Sequence, residues 1–177
     1  QLTGGVFVYG SDAVIKNCII NNNNATGTAS SLVAGGIYTS AANVSIYDSE
    51  ISNNTSSTTG GLFLGGTSAL YNCVVSGNTG GVFAGGITVL QGDVSINACT
   101  IELNEGFRAG GVYTDAGGIL VLIDGVMVLH DAAQLTLTDC QVSGNTNSGA
   151  EHKEILAAKN AKLVMQGNNT VNSTYVE

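Results

Sequence analysis

The sequence predicts an all-β fold: a single-stranded, right-handed parallel β-helix of about six coils, occupying residues 1–177 as one domain. Three features indicate this fold: a repeated anchor motif, a Gly-Gly pair before each anchor, and short stretches of alternating aliphatic residues. A period of two indicates β-strands, and self-similarity at roughly 25 residues indicates a stack of repeated units. No repeat contains a segment long enough for a helix, so each is expected to form one coil.

The anchor motif occurs five times, with cysteine at the anchor in four copies and serine in one. In every copy an aliphatic residue lies three positions before the anchor, another lies two after it, and asparagine lies five after it. Equivalent residues of successive coils stack at about 4.8 Å, so the asparagines are expected to form a ladder at a bend. The anchors are Cys18, Ser49, Cys73, Cys99 and Cys140, and the ladder residues are Asn23, Asn54, Asn78, Asn104 and Asn145.

The cysteines of the anchor row could be free thiols or form a disulfide. Ser49 replaces cysteine in one coil, which indicates a slot for a small side chain and favours buried free thiols. Thiols stacked in adjacent coils also lie within the Cα range of a disulfide, so a Cys73–Cys99 bond is the alternative. The cysteines are far apart and form no CxxC pair, so we expect no metal site and no cofactor.

A Gly-Gly pair followed by an aliphatic residue precedes each anchor, and we expect it to mark a corner where φ is positive or a Cβ would collide. The fifth copy is longer than the others by about 16 residues, which we assign to an insertion at residues 115–130, a predicted hairpin with Asp124-Gly125 at its turn. The pairs are Gly4-Gly5, Gly35-Gly36, Gly60-Gly61, Gly85-Gly86 and Gly110-Gly111.

Residues 146–177 are predicted to form a degenerate terminal coil. The Gly-Gly pair is missing there, and a charged stretch at residues 151–154 takes its place. Leu163, Met165, Asn168 and Thr170 are assigned to the expected slots of the repeat. Terminal repeats are often atypical because they close the stack.

The motif pair resembles the repeat of the polymorphic outer-membrane proteins, in which Gly-Gly-Ala-Ile is paired with Phe-x-x-Asn. Here the first half reads Gly36-Ile37-Tyr38 without the alanine, and the second half has Ile or Val in place of Phe, as in Ile51–Asn54. The resemblance covers about residues 4–145 and implies a pectin-lyase-like β-helix. It also implies an adhesin-like or structural role at a cell surface, without a known catalytic centre.

Composition narrows the classes of function. The chain carries 25 Gly, no Pro and a net charge of −8. Nucleic-acid binding needs clustered Lys and Arg, so we expect none. The longest apolar stretch, residues 118–129, is too short to span a bilayer, so we expect no membrane insertion. The chain begins with Gln1 and shows no signal segment, which favours a processed chain or a segment of a larger protein.

Two sets of residues are candidates for surface contacts. One row follows the inward aliphatic residues and should therefore point outward, where it either stacks on sugar rings or a neighbour, or is covered by a loop. Asparagines in Asn-x-Ser/Thr sequences are candidates for N-glycosylation, except Asn54, which lies on the inward ladder. The row is Phe7, Tyr38, Phe63, Thr88 and Tyr113, and the glycosylation candidates are Asn24, Asn43, Asn53, Asn168 and Asn172.

We expect no catalytic centre, because the acidic residues are scattered along the chain. The alternative is a carbohydrate-active β-helix, a polysaccharide lyase or a tailspike-like glycoside hydrolase. Its groove would be built by Glu102, Glu105 and Arg108 on one shared face, or by the insertion at residues 115–130. A solvated ion pair is the competing interpretation of that cluster. An ice-binding helix is disfavoured because the coils are irregular in length.

The sequence therefore favours a structural or adhesive segment of an extracellular or cell-surface protein, acting through its lateral surface and its stacked ends. The expected partners are other chains, further coils of the same assembly, and glycans. Because the chain enters directly at the corner of Gly4 and Gly5, we expect further coils, a capping element or another subunit at that end.

Overall fold

The computed structural model describes residues 3–27, 32–40, 42–115, 120–123, 126–129, 133–149, 154–158, 161–172 and 174–176. These residues contain strands, turns and bends but no helix. The strands form a right-handed parallel β-helix, as the sequence predicts. Five coils contribute to all four parallel sheets, a sixth contributes to three, and one strand begins a seventh coil.

The four sheets run along the column, and each is built from equivalent strands of successive coils. Sheet 1 contains Val6–Tyr9, Ile37–Ser40, Leu62–Leu64, Ile87–Val89, Val112–Asp115, Ile155–Ala158 and Thr174–Val176. Sheet 2 contains Ala13–Lys16, Val44–Tyr47, Ser68–Tyr71, Asp93–Asn97, Gln134–Thr138 and Lys162–Gln166. Sheet 3 contains Ile19–Asn21, Glu50–Ser52, Val74–Ser76, Thr100–Glu102, Gln141–Ser143 and Thr170–Val171. Sheet 4 contains Asn24–Ala25, Thr55–Ser56, Thr79–Gly80, Glu105–Gly106 and Thr146–Asn147.

The inside of the column is a continuous aliphatic core made of stacked rows. Burying one aliphatic side chain contributes about 1.5–3 kcal/mol, so the rows supply much of the folding free energy. Strand register places each row as the repeat predicts. Two fully buried rows are Ile37, Leu62, Ile87, Val112 and Ile155 in sheet 1, and Ile51, Val75, Ile101 and Val142 in sheet 3.

The Gly-Gly corners require glycine because a Cβ would collide with the next coil, and not because φ is positive there. A Cβ on Gly61 or Gly86 would lie 2.5 Å from the carbonyl oxygen of the second glycine in the next coil. Positive φ occurs instead at the corner between sheets 2 and 3, where Asn17, Asp48 and Asn72 have φ of 53°, 48° and 52°. Asparagine and aspartate tolerate this region better than other residues with a Cβ, which explains their repetition there.

The insertion in the fifth coil contains an antiparallel pair of strands, Leu120–Ile123 and Val126–Leu129. Ile123 lies opposite Val126, so two residues connect the strands. Those two residues, the predicted turn Asp124-Gly125, lie outside the described part of the chain.

The terminal coil differs from the predicted alignment by one residue. Leu163 and Met165 occupy their expected slots, opposite Leu135 and Leu137. Val171, however, pairs with Val142, so assigning Asn168 and Thr170 to the slots was wrong. The coil contains one additional residue at its corner, where Gly167 adopts a φ of +67°.

Candidate functional site

The asparagine ladder is the most regular polar feature of the column. The backbone N–H and the Nδ2 of Asn54 both donate to Oδ1 of Asn78, at 2.9 and 3.0 Å, and Asn78 donates in the same way to Asn104, at 2.9 and 2.9 Å. The second Nδ2 hydrogen of Asn54 is donated to the carbonyl of Ile20 at 2.9 Å. Each ladder asparagine therefore donates toward the C-terminal end of the column and accepts on its N-terminal side. We call this direction of donation the polarity of the ladder.

A carboxylate closes the C-terminal end of the ladder. Glu154 directly precedes Ile155, in the slot that the second glycine fills in the earlier coils. Its carboxylate accepts hydrogen bonds from the backbone N–H of Asn145, at 3.1–3.2 Å, and from Nδ2 of Asn145. Among the described residues, the sixth coil contributes no strand to sheet 4, and Glu154 takes the place of a sixth asparagine. The loss of the glycine pair is the sequence signal of this role, which the predicted terminal coil did not include.

The N-terminal end of the ladder has the opposite character. Asn23 donates to Oδ1 of Asn54 through its N–H at 3.0 Å and its Nδ2 at 2.9 Å. Among the described residues, none donates to Oδ1 of Asn23. The inward residues of the first coil, Val6, Val8 and Ile15, are half-buried, whereas the equivalent rows are buried one coil further along.

The predicted contact row on the outside of sheet 1 is a covered row. Phe7 is 45% exposed, but Tyr38 and Phe63 are only 8% and 2% exposed, and Thr88 and Tyr113 are fully buried. The alternative in which the row is covered is therefore confirmed, and only Phe7 is exposed. Loop residues Leu32, Phe83 and Leu90 pack over the row and form a second apolar cluster with it, and Leu156 of sheet 1 extends the row in the next coil.

Arg108 belongs to this cover rather than to an acidic cluster. Its Nη1 donates to the hydroxyl of Tyr113 at 2.6 Å, which in turn donates to Asp115 at 2.6 Å. The guanidinium also lies 5.7 Å from the ring centroid of Phe83. Burial, together with the hydrogen bond and charge of Asp115, raises the pKa of Tyr113, which disfavours it as a general base.

The three residues proposed to share one face do not form ion pairs with each other. An ion pair between described residues joins Nζ of Lys16 and Oδ2 of Asp48 instead, at 3.9 Å. Glu105 is exposed and Glu102 is half-buried. The solvated ion pair predicted for Arg108 is therefore wrong, because its guanidinium donates a hydrogen bond to the hydroxyl of Tyr113 instead.

An open groove runs along the corner between sheets 2 and 3 of the first three coils. It has a volume of about 510 Å³. Beside it, the rings of Tyr47 and Tyr71 stack at 5.0 Å with 9° between their planes, and Tyr71 is 38% exposed. We call this surface the corner groove; its lining residues are Asn17, Cys18, Ile19, Asp48, Ser49, Glu50, Asn72 and Val74.

The anchor side chains all make a local hydrogen bond at this corner. Each thiol or hydroxyl donates to the carbonyl two residues earlier, for example Ser49 to Tyr47 at 2.6 Å and Cys99 to Asn97 at 3.2 Å. The four cysteines are free thiols, and Cys73, Cys99 and Cys140 are buried. The interaction with Cys73, together with burial, raises the pKa of Cys99, the same interaction lowers the pKa of Cys73, and burial raises that of Cys140.

The glycosylation candidates lie on the surface. Asn54 is fully buried in the ladder. Asn43 donates from Nδ2 to Asp12 at 2.9 Å, a contact that an attached glycan would have to replace. Modification at these sites stays a prediction. The exposed candidates are Asn24, Asn43, Asn53, Asn168 and Asn172.

Comparison with known proteins gives one match. The family described as "Right handed beta helix region" matches residues 2–174. No curated protein and no solved structure matches the chain. Within the described residues, no group of three or more His, Cys, Asp or Glu side chains could hold a metal ion, and no helix is long and apolar enough to cross a membrane.

Proposed function

Because this chain belongs to the right-handed β-helix family, whose fold alone does not specify a function, we propose one from its surfaces. The chain is a structural or adhesive segment of an extracellular or cell-surface protein that acts through its lateral surface and its stacked ends. Its low content of charged residues, 10%, supports this proposal, because its lateral surface instead presents many hydroxyl and amide groups.

The observation that carries the proposal is the corner groove with its two stacked tyrosines. Tyrosine offers an apolar ring and a polar hydroxyl, a combination common at binding surfaces. The exposed aliphatic residues Ile19 and Val74, at 70% and 38% exposure, extend the apolar strip beside the groove. Asn72 donates to Asp48 at 2.9 Å, so amide and carboxylate groups are held next to that strip.

The charges around the groove favour a neutral partner. Asp48 and Glu50 line it, and the exposed Lys16 offsets only part of their charge. The whole chain carries a net charge of −8, so an acidic polysaccharide would be repelled. A neutral glycan, with hydroxyl groups for the amides and apolar faces for the aliphatic residues, suits this surface.

Binding to a panel of immobilised neutral and acidic polysaccharides tests the proposal. We expect the protein to bind neutral members, and Tyr71→Ala to weaken binding about tenfold or more, as for loss of a central aromatic contact. Thr138→Ala is the matched control, since Thr138 lies on the same outer row two coils away. Equal binding by both variants, or no binding to any member, would contradict the proposal.

A carbohydrate-active enzyme is the second candidate, and the observation that favours it is a hydrogen-bond network of three side chains. Two hydrogen bonds of 2.6 Å link the guanidinium of Arg108, the hydroxyl of Tyr113 and the carboxylate of Asp115. The same panel measures turnover. Product release that Arg108→Ala abolishes, with the fold retained, would replace adhesion by catalysis as the function.

A further inference from the structure

We infer that the N-terminal end of the column is a docking surface for another β-helical coil of the same repeat, one that places an asparagine over Asn23 and donates to its Oδ1. This inference concerns the axial end of the column and is independent of any ligand in the corner groove. It rests on the polarity of the ladder, on the open apolar and aromatic rows, and on the shape of the glycine corner.

The polarity of the ladder determines which group fits over Asn23. Within the ladder, each Oδ1 accepts two hydrogen bonds from the preceding coil; Oδ1 of Asn78, for example, accepts both the N–H and the Nδ2 of Asn54. Oδ1 of Asn23 is the equivalent acceptor at the N-terminal end. The complementary partner is therefore a backbone N–H together with a side-chain amide, which is what an asparagine in a preceding coil presents.

The same polarity disfavours both ways of pairing two copies of this chain end to end. In a head-to-head pair, two Asn23 acceptors would face each other without a donor between them. In a head-to-tail pair, the last ladder donors belong to Asn145, and Glu154 already accepts them. The fitting occupant is thus a coil with a free ladder asparagine rather than either end of a second copy.

Apolar and aromatic rows end at the same surface. Phe7 stacks on Tyr38 at 5.5 Å through one face of its ring and is 45% exposed. Tyr9 is 64% exposed, although its ring lies 6.3 Å from that of Phe7. A docked coil of the same repeat would cover Phe7 with its outer-row residue, as Phe7 covers Tyr38, and would bury Val6 beneath an aliphatic residue.

The glycine corner adds a requirement on the sequence of the partner. Each second glycine allows the carbonyl of the next coil to approach: a Cβ on Gly5 would lie 2.5 Å from the carbonyl oxygen of Gly36, and one on Gly36 would lie 2.8 Å from that of Gly61. A coil docked on Gly5 must therefore carry glycine at its own corner. The Gly-Gly motif and the ladder asparagine together define the occupant.

An extended protein tests the inference. A copy of residues 36–60, which contains Ser49 and no cysteine, is joined to Gly5 in place of residues 1–4, so that the copied Asn54 lies over Asn23. We expect Tm to rise by about 3 °C or more. Amide hydrogen exchange in Val6–Tyr9 should slow about tenfold or more at the amides that pair with the added coil, because this edge strand then lies inside a sheet.

The matched control is the same extension with Asn54→Asp in the copied coil, which keeps the apolar rows but puts a carboxylate against Oδ1 of Asn23. We expect this variant to lose most of the gain in Tm and in protection. Equal gains with asparagine and aspartate would overturn the inference, since ladder polarity would then not select the partner. A copied coil whose amides exchange as in an unfolded chain would also overturn it.

Discussion

Glu154 accepts hydrogen bonds from both the backbone N–H and the side-chain Nδ2 of Asn145, the two groups that every other ladder asparagine donates to its successor. Glu154 is 5% exposed, so these hydrogen bonds lie in a largely buried site. The column thus has one ladder end that is closed from within and one that presents an acceptor.

Removing the carboxylate should destabilise the terminal coils. Glu154→Ala leaves the buried backbone N–H of Asn145 unpaired and removes the shortest hydrogen bond of its Nδ2, and we expect the free energy of unfolding to fall by about 2 kcal/mol. Glu154→Gln keeps one acceptor oxygen and should cost about 1 kcal/mol. Urea unfolding measures both, with Glu105→Ala as the control because Glu105 is exposed and should change stability by less than about 0.5 kcal/mol. An effect of Glu154→Ala no larger than that of the control would refute the closing role.

Two neighbouring asparagines should respond very differently to the same isosteric change. Asn54→Asp removes the donors to Asn78 and Ile20 and buries an unpaired charge, so we expect a loss of more than about 3 kcal/mol. Asn53→Asp alters an exposed corner residue with φ of +53°, a geometry that aspartate tolerates, and should change stability by less than about 0.5 kcal/mol. Thermal unfolding separates the two, and similar Tm values for both variants would contradict the ladder's role.

The fourth coil contains a correctable backbone strain. Leu103 has φ of +55°, where the other coils carry asparagine or glycine, and its side chain is 67% exposed. Leu103→Asn should therefore raise the free energy of unfolding by about 1 kcal/mol. Leu103→Val is the control, and it should lower stability because a β-branched residue tolerates positive φ poorly. A decrease in Tm for Leu103→Asn would show that packing of the leucine outweighs the strain.

The buried thiol of Cys140 should make stability fall in alkaline solution. Burial raises its pKa in the folded protein, so its contribution is fully present below the ordinary thiol pKa and is lost as the pH rises above it. Between about pH 8.5 and 10 we expect a loss of up to about 1.4 kcal/mol per pH unit.

Cys140→Ser tests this pH dependence, since Ser49 shows that serine fits an anchor slot and serine does not titrate in this range. Urea unfolding at several pH values should give a flatter profile for the variant than for the parent protein. An unchanged slope would mean that the Cys140 thiol does not contribute. The measurements stop at about pH 10, because the pKa values of Tyr38 and Tyr113 are also raised. Above that pH, their ionisation in the unfolded state would lower the stability of both proteins in the same way.

The candidate surfaces were only partly predictable from the sequence. Tyr47 and Tyr71 each lie two positions before their anchors, so the register that located the ladder also places them side by side on the outside of sheet 2. The Gly-Gly motif indicates the row of Phe7 in the same way, so periodicity alone does not distinguish the accessible row from the covered one. The loss of the glycine pair indicates that the corner at Glu154 differs from the others, but only the structure shows its carboxylate on the ladder donors of Asn145.

The sequence by itself determined the coil, its inward rows, the ladder and the glycine corners, because stacking at a fixed spacing converts a periodic sequence directly into rows of neighbours. Tertiary structure decided which outward residues reach solvent. Loops of variable length fold over sheet 1 and bury Tyr113, while sheets 2 and 3 leave Tyr71 accessible. It also decided the alignment of Val171, because one additional residue at a corner moves every later residue by one position. The periodic sequence determines the repeated coil, whereas the exposed surface depends on the loops, which do not repeat.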